Sequence, residues 1–90
     1  MATVFLKHEV ADYSAWKPLY DADLPRRNAA GLKEIGVYRE ASDENMVVVI
    51  FEVENPEVIK EFLQSEDLAE KMKEAGVLTK PEVWVGNPIG

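Results

Sequence analysis

The chain has 90 residues and a formal net charge of -7, from 10 Lys and Arg residues against 17 Asp and Glu residues. This length predicts one domain, residues 1–90, whose core is small enough that pairing with a second copy would add much to its stability. The negative charge repels phosphate backbones and anionic lipid surfaces, so we expect neither a nucleic acid nor a membrane as partner.

Three further features of the sequence bear on location. Cysteine is absent, which excludes disulfides and thiolate chemistry and favours a reducing cytoplasm. The first residues lack the basic lead and apolar run of a signal peptide. No apolar stretch approaches the roughly 20 residues of a membrane-spanning helix. We therefore expect a cytoplasmic protein.

The first predicted strand covers Thr3 to Ala11, where apolar and polar residues alternate. His8 is the only histidine of the chain. It falls on the apolar face of this strand, together with Val4, Leu6 and Val10. His8 is therefore predicted to face the interior of the protein or an interface.

A helix is predicted to follow this strand, with Asp12 as its N-cap. Four large side chains at spacings of three and four form one stripe on it: Tyr13, Trp16, Tyr20 and Leu24. Pro25 lacks an N–H donor and would clash with the preceding turn, so the helix should kink or restart there, with Asp23 or Leu24 near the new N-terminus. Gly31 is predicted to end it as a left-handed cap.

The segment Met46–Val53 carries one charge in eight residues and is rich in Val and Ile. This pattern predicts a central strand with apolar side chains on both faces. Lys33 to Glu40 is predicted as the strand before it, with Ile35, Val37 and Arg39 on one face. The polar segment Ser42–Asn45 is predicted to be the turn that joins the two strands as a hairpin.

The second helical region is predicted to begin at Asn55-Pro56, where a capping residue precedes a proline at the first helical position. Ser65 can cap a further stretch, so two helical pieces with a bend at Gln64-Ser65 are expected. Gly76 is predicted to close the second piece. A short last strand is predicted at Glu82–Val85.

This order of elements predicts an α+β, ferredoxin-like βαββαβ fold. Its four-stranded antiparallel sheet would carry helices on one face and leave the other uncovered within one chain. Leaving several apolar side chains exposed costs several kcal/mol at about 25 cal/mol per Å². Stacking of two sheets into a homodimeric α/β barrel is the simplest way to cover that face.

The chain also resembles a known superfamily over nearly its whole length. The matching residues are Val10–Trp16, Tyr20-Asp21, Arg27, Ala30-Gly31, Phe62–Leu68, Met72 and Ala75–Val77. These segments look like the dimeric α/β-barrel proteins that include antibiotic-biosynthesis monooxygenases, and especially like small members without an assigned reaction. Related sequences often carry His at the position of Asp23, so no catalytic role is transferred to the end of the first helix.

The resemblance implies a homodimer that binds a small hydrophobic or aromatic molecule, as a cofactor-independent monooxygenase or an isomerase or cyclase. A non-enzymatic ligand-binding or regulatory module is the alternative, because the superfamily also contains proteins with no known reaction. A haem-degrading enzyme is a third reading, disfavoured because the only His lies on a strand rather than on the helix expected to supply the haem ligand.

Five residues are candidates for the site, each with a structural alternative. His8 titrates near neutrality and can move a proton, or it is a hydrogen-bonded interior histidine. Trp16 and Tyr20 can line an aromatic pocket, or they are core residues at helical spacing. Arg27 and Arg39 can hold a carboxylate or phenolate, or they pair with surface acids.

Other classes of site lack their usual patterns. One His among scattered carboxylates has no metal-ligand spacing, so no metal is expected. No Gly-rich phosphate loop or dinucleotide motif is present, and no cofactor is predicted. No serine occurs in a Gly-x-Ser-x-Gly context, which disfavours a serine hydrolase. The charged residues of the second helical region are predicted to form solvated helix faces.

Overall fold

The computed structural model describes residues 1–89 and contains four strands and four helices in that range. In chain order they are β1 (Ala2–Glu9), α1 (Tyr13–Ala22), α2 (Leu24–Ala29), β2 (Lys33–Glu40), β3 (Asp43–Val53), α3 (Glu57–Gln64), α4 (Glu66–Glu74) and β4 (Glu82–Gly86). The strands form one antiparallel sheet in the order β2-β3-β1-β4. The predicted α+β ferredoxin-like arrangement is confirmed, and each predicted helical region is a pair of helices.

The core lies between the helices and one face of the two central strands. Val4 of β1 is opposite Phe51 of β3, and Leu6 is opposite Val49. These side chains are buried because the β period of two directs alternate residues toward the helices. The strand Met46–Val53 is central as predicted, although the helices bury only one of its faces within a single chain.

The break between α1 and α2 has the predicted cause. The side chain of Asp12 accepts a hydrogen bond from the Ser14 amide at 3.0 Å and begins α1. The helix ends at Ala22, and α2 restarts at Leu24 with Pro25 in its first turn, where a missing N–H costs little. Gly31 follows α2 at φ 77°, which glycine adopts without strain.

The second helical region is also divided as predicted. Ser65 ends α3, and its hydroxyl accepts a hydrogen bond from the Leu68 amide at 3.4 Å. Gly76 follows α4 at φ 81°. The helix α3 itself begins at Glu57, one residue later than predicted, and the side chain of Asn55 accepts from the Glu57 amide at 3.1 Å.

The predicted alternation in β2 is wrong in the first half of the strand. The register shifts between Glu34 and Gly36, which leaves Ile35 as an extra residue without a partner in β3. Glu34 is opposite Phe51 and Val37 is opposite Val49, so both lie on the helix side of the sheet. Ile35 is exposed instead. Because of the bulge, the acidic side chain of Glu34 lies on the helix side of the sheet in place of the apolar side chain of Ile35.

The predicted turn at Ser42–Asn45 is also placed too late. The turn residues are Ala41 and Ser42, and β3 already begins at Asp43. The backbone of Asn45 is used by the sheet, because its carbonyl oxygen accepts a hydrogen bond from the Val10 amide at 2.8 Å. Pairing of the backbone thus outweighs the turn preference of these polar side chains.

The face of the sheet opposite the helices is called the outer face here. One row of residues crosses all four strands on it, with Trp84 opposite Phe5, Phe5 opposite Ile50, and Ile50 opposite Gly36. The ring of Tyr38 occupies the space above Gly36, since an added Cβ would lie 2.8 Å from it. In a single chain Phe5, Trp84 and Tyr38 remain 37%, 53% and 56% exposed. A row of apolar side chains across the outer face is therefore uncovered in a single chain.

None of the helices in residues 1–89 combines the length and the apolar character needed to cross a membrane.

Candidate functional site

A cavity of about 150 Å³ lies between the sheet and the helices. Strands β1 and β3 form its floor, α1 and α2 form one wall, and α3 and α4 form the other. Most of its lining is apolar and includes Leu6, Val49, Phe51, Phe62, Leu68 and Met72. Such a lining favours an apolar ligand whose orientation is set by a small number of polar groups.

His8 provides one of those polar groups. It lies on β1, lines the cavity and is 4% exposed. Its Nδ1 is buried and has no hydrogen-bond partner. Burial lowers the pKa of His8 below its ordinary value of 6.5, because the charged form loses its hydration. The imidazole is therefore neutral at neutral pH and can accept a proton.

The aromatic wall of the cavity consists of Trp16 and Tyr20, both from α1. Their rings are stacked with centroids 4.7 Å apart and an interplanar angle of 26°. The indole of Trp16 also meets the imidazole of His8 in an edge arrangement, with centroids 5.6 Å apart and planes at 71°. The stripe predicted on the first helix thus supplies the two stacked rings of the wall, and Trp16 brings the imidazole of β1 into contact with them.

The hydroxyl of Tyr20 forms a hydrogen bond with a residue outside the aromatic stack. It donates a hydrogen bond to Glu34 Oε1 at 2.7 Å. Burial and the adjacent carboxylate raise the pKa of Tyr20 well above its ordinary value of 10. Tyr20 therefore stays protonated at physiological pH, and its ring orientation is fixed by Glu34 at one end and Trp16 along its face.

Arg27 of α2 is buried next to Tyr20. Its Cζ lies 3.7 Å from the Tyr20 ring centroid, and its Nη1 donates to the Tyr20 carbonyl oxygen at 2.6 Å. It is 5% exposed, and its Nε has no hydrogen-bond partner. The ion pairs of residues 1–89 do not include Arg27, whereas the adjacent Arg26 pairs with Asp23 at 3.1 Å. Arg27 thus carries a buried charge without a carboxylate partner.

Arg39, the fifth candidate from the sequence, lies elsewhere. It is opposite Val47 at the β2 edge of the sheet, and its Cζ lies 4.4 Å from the Tyr13 ring centroid. It does not belong to the lining of the cavity. The structure therefore brings His8, Trp16, Tyr20 and Arg27 together and leaves Arg39 apart.

Sequence reasoning missed two contributions to the site. Glu34, which holds the Tyr20 hydroxyl, reaches the helix side only because of the bulge in β2, and the sequence carries no clear signal for that bulge. Lys71 and Glu74 of α4 line the cavity and lie 3.6 Å apart as an ion pair. The spacing of three residues between Leu68 and Lys71 could have indicated a shared helix face.

Within residues 1–89, no group of three His, Asp or Glu side chains is arranged to hold a metal ion. The polar groups of the cavity are one imidazole, one guanidinium, and the charged residues Asp23, Lys71 and Glu74 of its helical walls. This set can bind an organic molecule and move a proton.

Solved structures with the same arrangement come from several organisms. A candidate antibiotic biosynthesis monooxygenase from Bordetella bronchiseptica matches with a TM-score of 0.79 at 15% identity, over 98% of this chain and 96% of its own. One described in the same way from Caulobacter crescentus matches with a TM-score of 0.72 at 10% identity, over 99% and 90%. This chain has the fold of antibiotic biosynthesis monooxygenase-like proteins.

The same fold occurs in a conserved protein from Methanosarcina mazei, with a TM-score of 0.68 at 15% identity over 93% of this chain and 88% of that one. No protein-family model matches the sequence, and no curated protein does. Identities this low show a shared fold alone. The predicted resemblance is confirmed at the level of fold, and function has to be argued from the side chains of the cavity.

Proposed function

We propose that this chain is a homodimeric protein that binds a small aromatic molecule in the cavity and oxygenates it without a cofactor. The observation that carries the proposal is the meeting of His8, Trp16, Tyr20 and Arg27 around one apolar cavity. The shared fold supports it, because proteins described as candidate monooxygenases have the same architecture.

Binding would rest on the apolar floor and the flat aromatic wall. The indole of Trp16 is only 3% exposed, but it lines the cavity beside Tyr20. An aromatic ligand that packs against these surfaces gains about 25 cal/mol for each Å² of apolar surface removed from water. Favourable ring geometry adds about 0.5–1.5 kcal/mol for each aromatic pair.

The chemistry would begin with a proton transfer. A neutral imidazole at His8 accepts the proton of a hydroxylated aromatic substrate. The buried guanidinium of Arg27 stabilises the anion that results. An electron-rich phenolate of this kind can pass electrons directly to O₂.

The overall reaction balances without an external reductant. A hydroquinone and one O₂ give a hydroxyquinone and one water: one oxygen atom forms a new C–O bond, and the other leaves as water with two hydrogens from the substrate. All four electrons come from the substrate. The protein's part is to bind, to remove the proton and to stabilise the anion.

The uncovered outer face supports the homodimer. Phe5, Trp84 and Tyr38 are exposed on it in a single chain, in a row that continues across the whole sheet. Apolar patches of this kind mark interaction sites. A second copy presents the same face, so the two sheets can stack about a twofold axis as a closed barrel.

Oxygen consumption tests the enzymatic part of this proposal. We would incubate the protein with hydroquinones and related hydroxylated aromatics of one to three rings and follow O₂ uptake together with quinone absorbance. Turnover that falls at least about tenfold in His8→Met supports the proposal. Turnover equal in both proteins, or none with any compound, contradicts an oxygenase. Binding without turnover would instead identify a non-enzymatic ligand-binding module.

A further inference from the structure

The buried charge of Arg27 has no anionic partner among residues 1–89, in a chain with 17 acidic residues. Buried charges are normally paired, because an uncompensated one costs several kcal/mol. Arg27 is held by a carbonyl oxygen and by the face of Tyr20, and neither carries a formal charge. An anion entering the cavity would supply the missing countercharge.

The acidic side chains that line the cavity do not provide the countercharge for Arg27. Asp23 is paired with Arg26, and Glu74 is paired with Lys71. Each of these two acids therefore already has a cationic partner of its own. Arg27 is left as the positive group of the lining without an acidic partner, which favours an anionic ligand over a neutral or cationic one.

The size of the cavity restricts the ligand further. An apolar cavity of about 150 Å³ accepts one benzene molecule, whereas pockets for drug-sized ligands range from about 300 to 1,000 Å³. The cavity here has a volume of about 150 Å³. Its walls are large side chains such as Phe51, Phe62 and Trp16, which cannot retreat without repacking the core.

We infer that the cavity is specific for a monocyclic aromatic anion, a single ring that carries an ionised oxygen, and that Arg27 provides the countercharge. This inference rests on the proposed binding function and narrows its ligand. The shared chemistry is an ionised oxygen on one six-membered ring. Either a carboxylate or a phenolate provides it.

Calorimetric titration of the wild-type protein tests both parts. Benzoate and benzamide have the same shape and differ in charge, so their ratio of affinities reports the role of the anion. Benzoate, 2-naphthoate and anthracene-2-carboxylate keep the charge and add rings, so they report the size limit. A parallel titration with 4-nitrophenolate, above the pKa of the phenol, distinguishes a phenolate from a carboxylate.

We expect the better of the two monocyclic anions to bind at least about tenfold more tightly than benzamide, which corresponds to about 1.4 kcal/mol. The two-ring and three-ring acids should bind at least about tenfold more weakly than benzoate. In Arg27→Met the preference for the anion should disappear, whereas Arg39→Met, which removes a charge outside the cavity, should keep it.

Three results would overturn the inference in distinguishable ways. If neither benzoate nor 4-nitrophenolate binds the wild-type protein more tightly than benzamide does, the countercharge is refuted, even if Arg27→Met fails to fold. Equal or tighter binding of the larger acids refutes the size limit while leaving the proposed binding function intact. If no aromatic compound of any size binds, the proposed function falls together with the inference.

Discussion

Arg27 contacts Tyr20 twice: its Nη1 donates to the Tyr20 carbonyl oxygen at 2.6 Å, and its Cζ lies 3.7 Å from the centroid of the same residue's ring. One residue therefore positions the guanidinium from both its backbone and its side chain. A cation over an aromatic face gains about 0.5–2 kcal/mol, more when it is buried. The position of the charge in the cavity thus depends on the aromatic stack of α1.

Substitutions at Tyr20 separate the ring from the hydroxyl. Tyr20→Leu removes the contacts with Trp16 and Arg27, so we expect the free energy of unfolding to fall by about 1–3 kcal/mol. Tyr20→Phe keeps the ring and loses only the exposed hydrogen bond to Glu34, with an expected cost of about 0.5 kcal/mol. Urea unfolding of both variants measures these losses in the free energy of unfolding. Equal losses in the two variants would show that the contacts of the Tyr20 ring with Trp16 and Arg27 add no stability beyond the hydrogen bond of the hydroxyl.

The protonation of His8 predicts how stability depends on pH. Burial lowers its pKa in the folded protein, so below about pH 6.5 the unfolded chain binds the proton more readily than the folded one. The free energy of unfolding should therefore fall as the pH decreases from about 6.5 to the folded-state pKa, and this contribution should be constant above that range. Urea unfolding from acidic to mildly alkaline pH, at one protein concentration, reveals the trend.

The variant His8→Met isolates this contribution, because all other titrating groups remain. At pH 8 the free energy of unfolding of this variant should be about 1 kcal/mol higher than that of the wild type, because the buried Nδ1 without a hydrogen-bond partner is gone. The difference should widen toward acidic pH. Parallel pH profiles of the two proteins would contradict the assignment of a buried, neutral His8.

The sequence predicts most of this architecture because the decisive signals are local. Asp12, Pro25 and Ser65 act within one helical turn, so the helix boundaries follow from them directly. The bulge at Ile35 depends on the register between β2 and β3, and the early start of β3 depends on its backbone pairing with β2 and with Val10. No local pattern of residues reports either feature. Glu34 was missed for that reason.

The separation of Arg27 from Arg39 has a similar explanation. Arg27 follows Arg26, and Arg39 lies between Tyr38 and Glu40, and nothing in these neighbouring residues says which arginine the fold will bury. Arg27 is buried because α2 places it in the cavity lining against the ring of Tyr20, whereas Arg39 lies near the end of edge strand β2. Burial of an arginine is decided by tertiary packing, which the sequence pattern does not contain.

The proposed dimer requires the apolar row of the outer face to stay free of charged side chains. Trp84→Lys places a charge between the stacked sheets, so it should shift the protein from twice the mass of one chain to a single chain. Sedimentation velocity at micromolar concentration measures the change. Leu24→Lys introduces the same charge at an exposed apolar residue on the helix side and should remain dimeric. A wild-type protein that sediments as one chain would refute the dimer.

The central claim is that a single-ring anion occupies the cavity beside Trp16, and the two tryptophans of the chain allow a direct measurement. Trp16 lines the cavity, whereas Trp84 lies on the outer face. In heteronuclear NMR spectra of nitrogen-labelled protein, titration with the tighter-binding of benzoate and 4-nitrophenolate should shift the indole N–H signal of Trp16 until the shift reaches a plateau. The signal of Trp84 should stay unchanged. A Trp16 signal that does not move, or a shift confined to Trp84, would contradict this account.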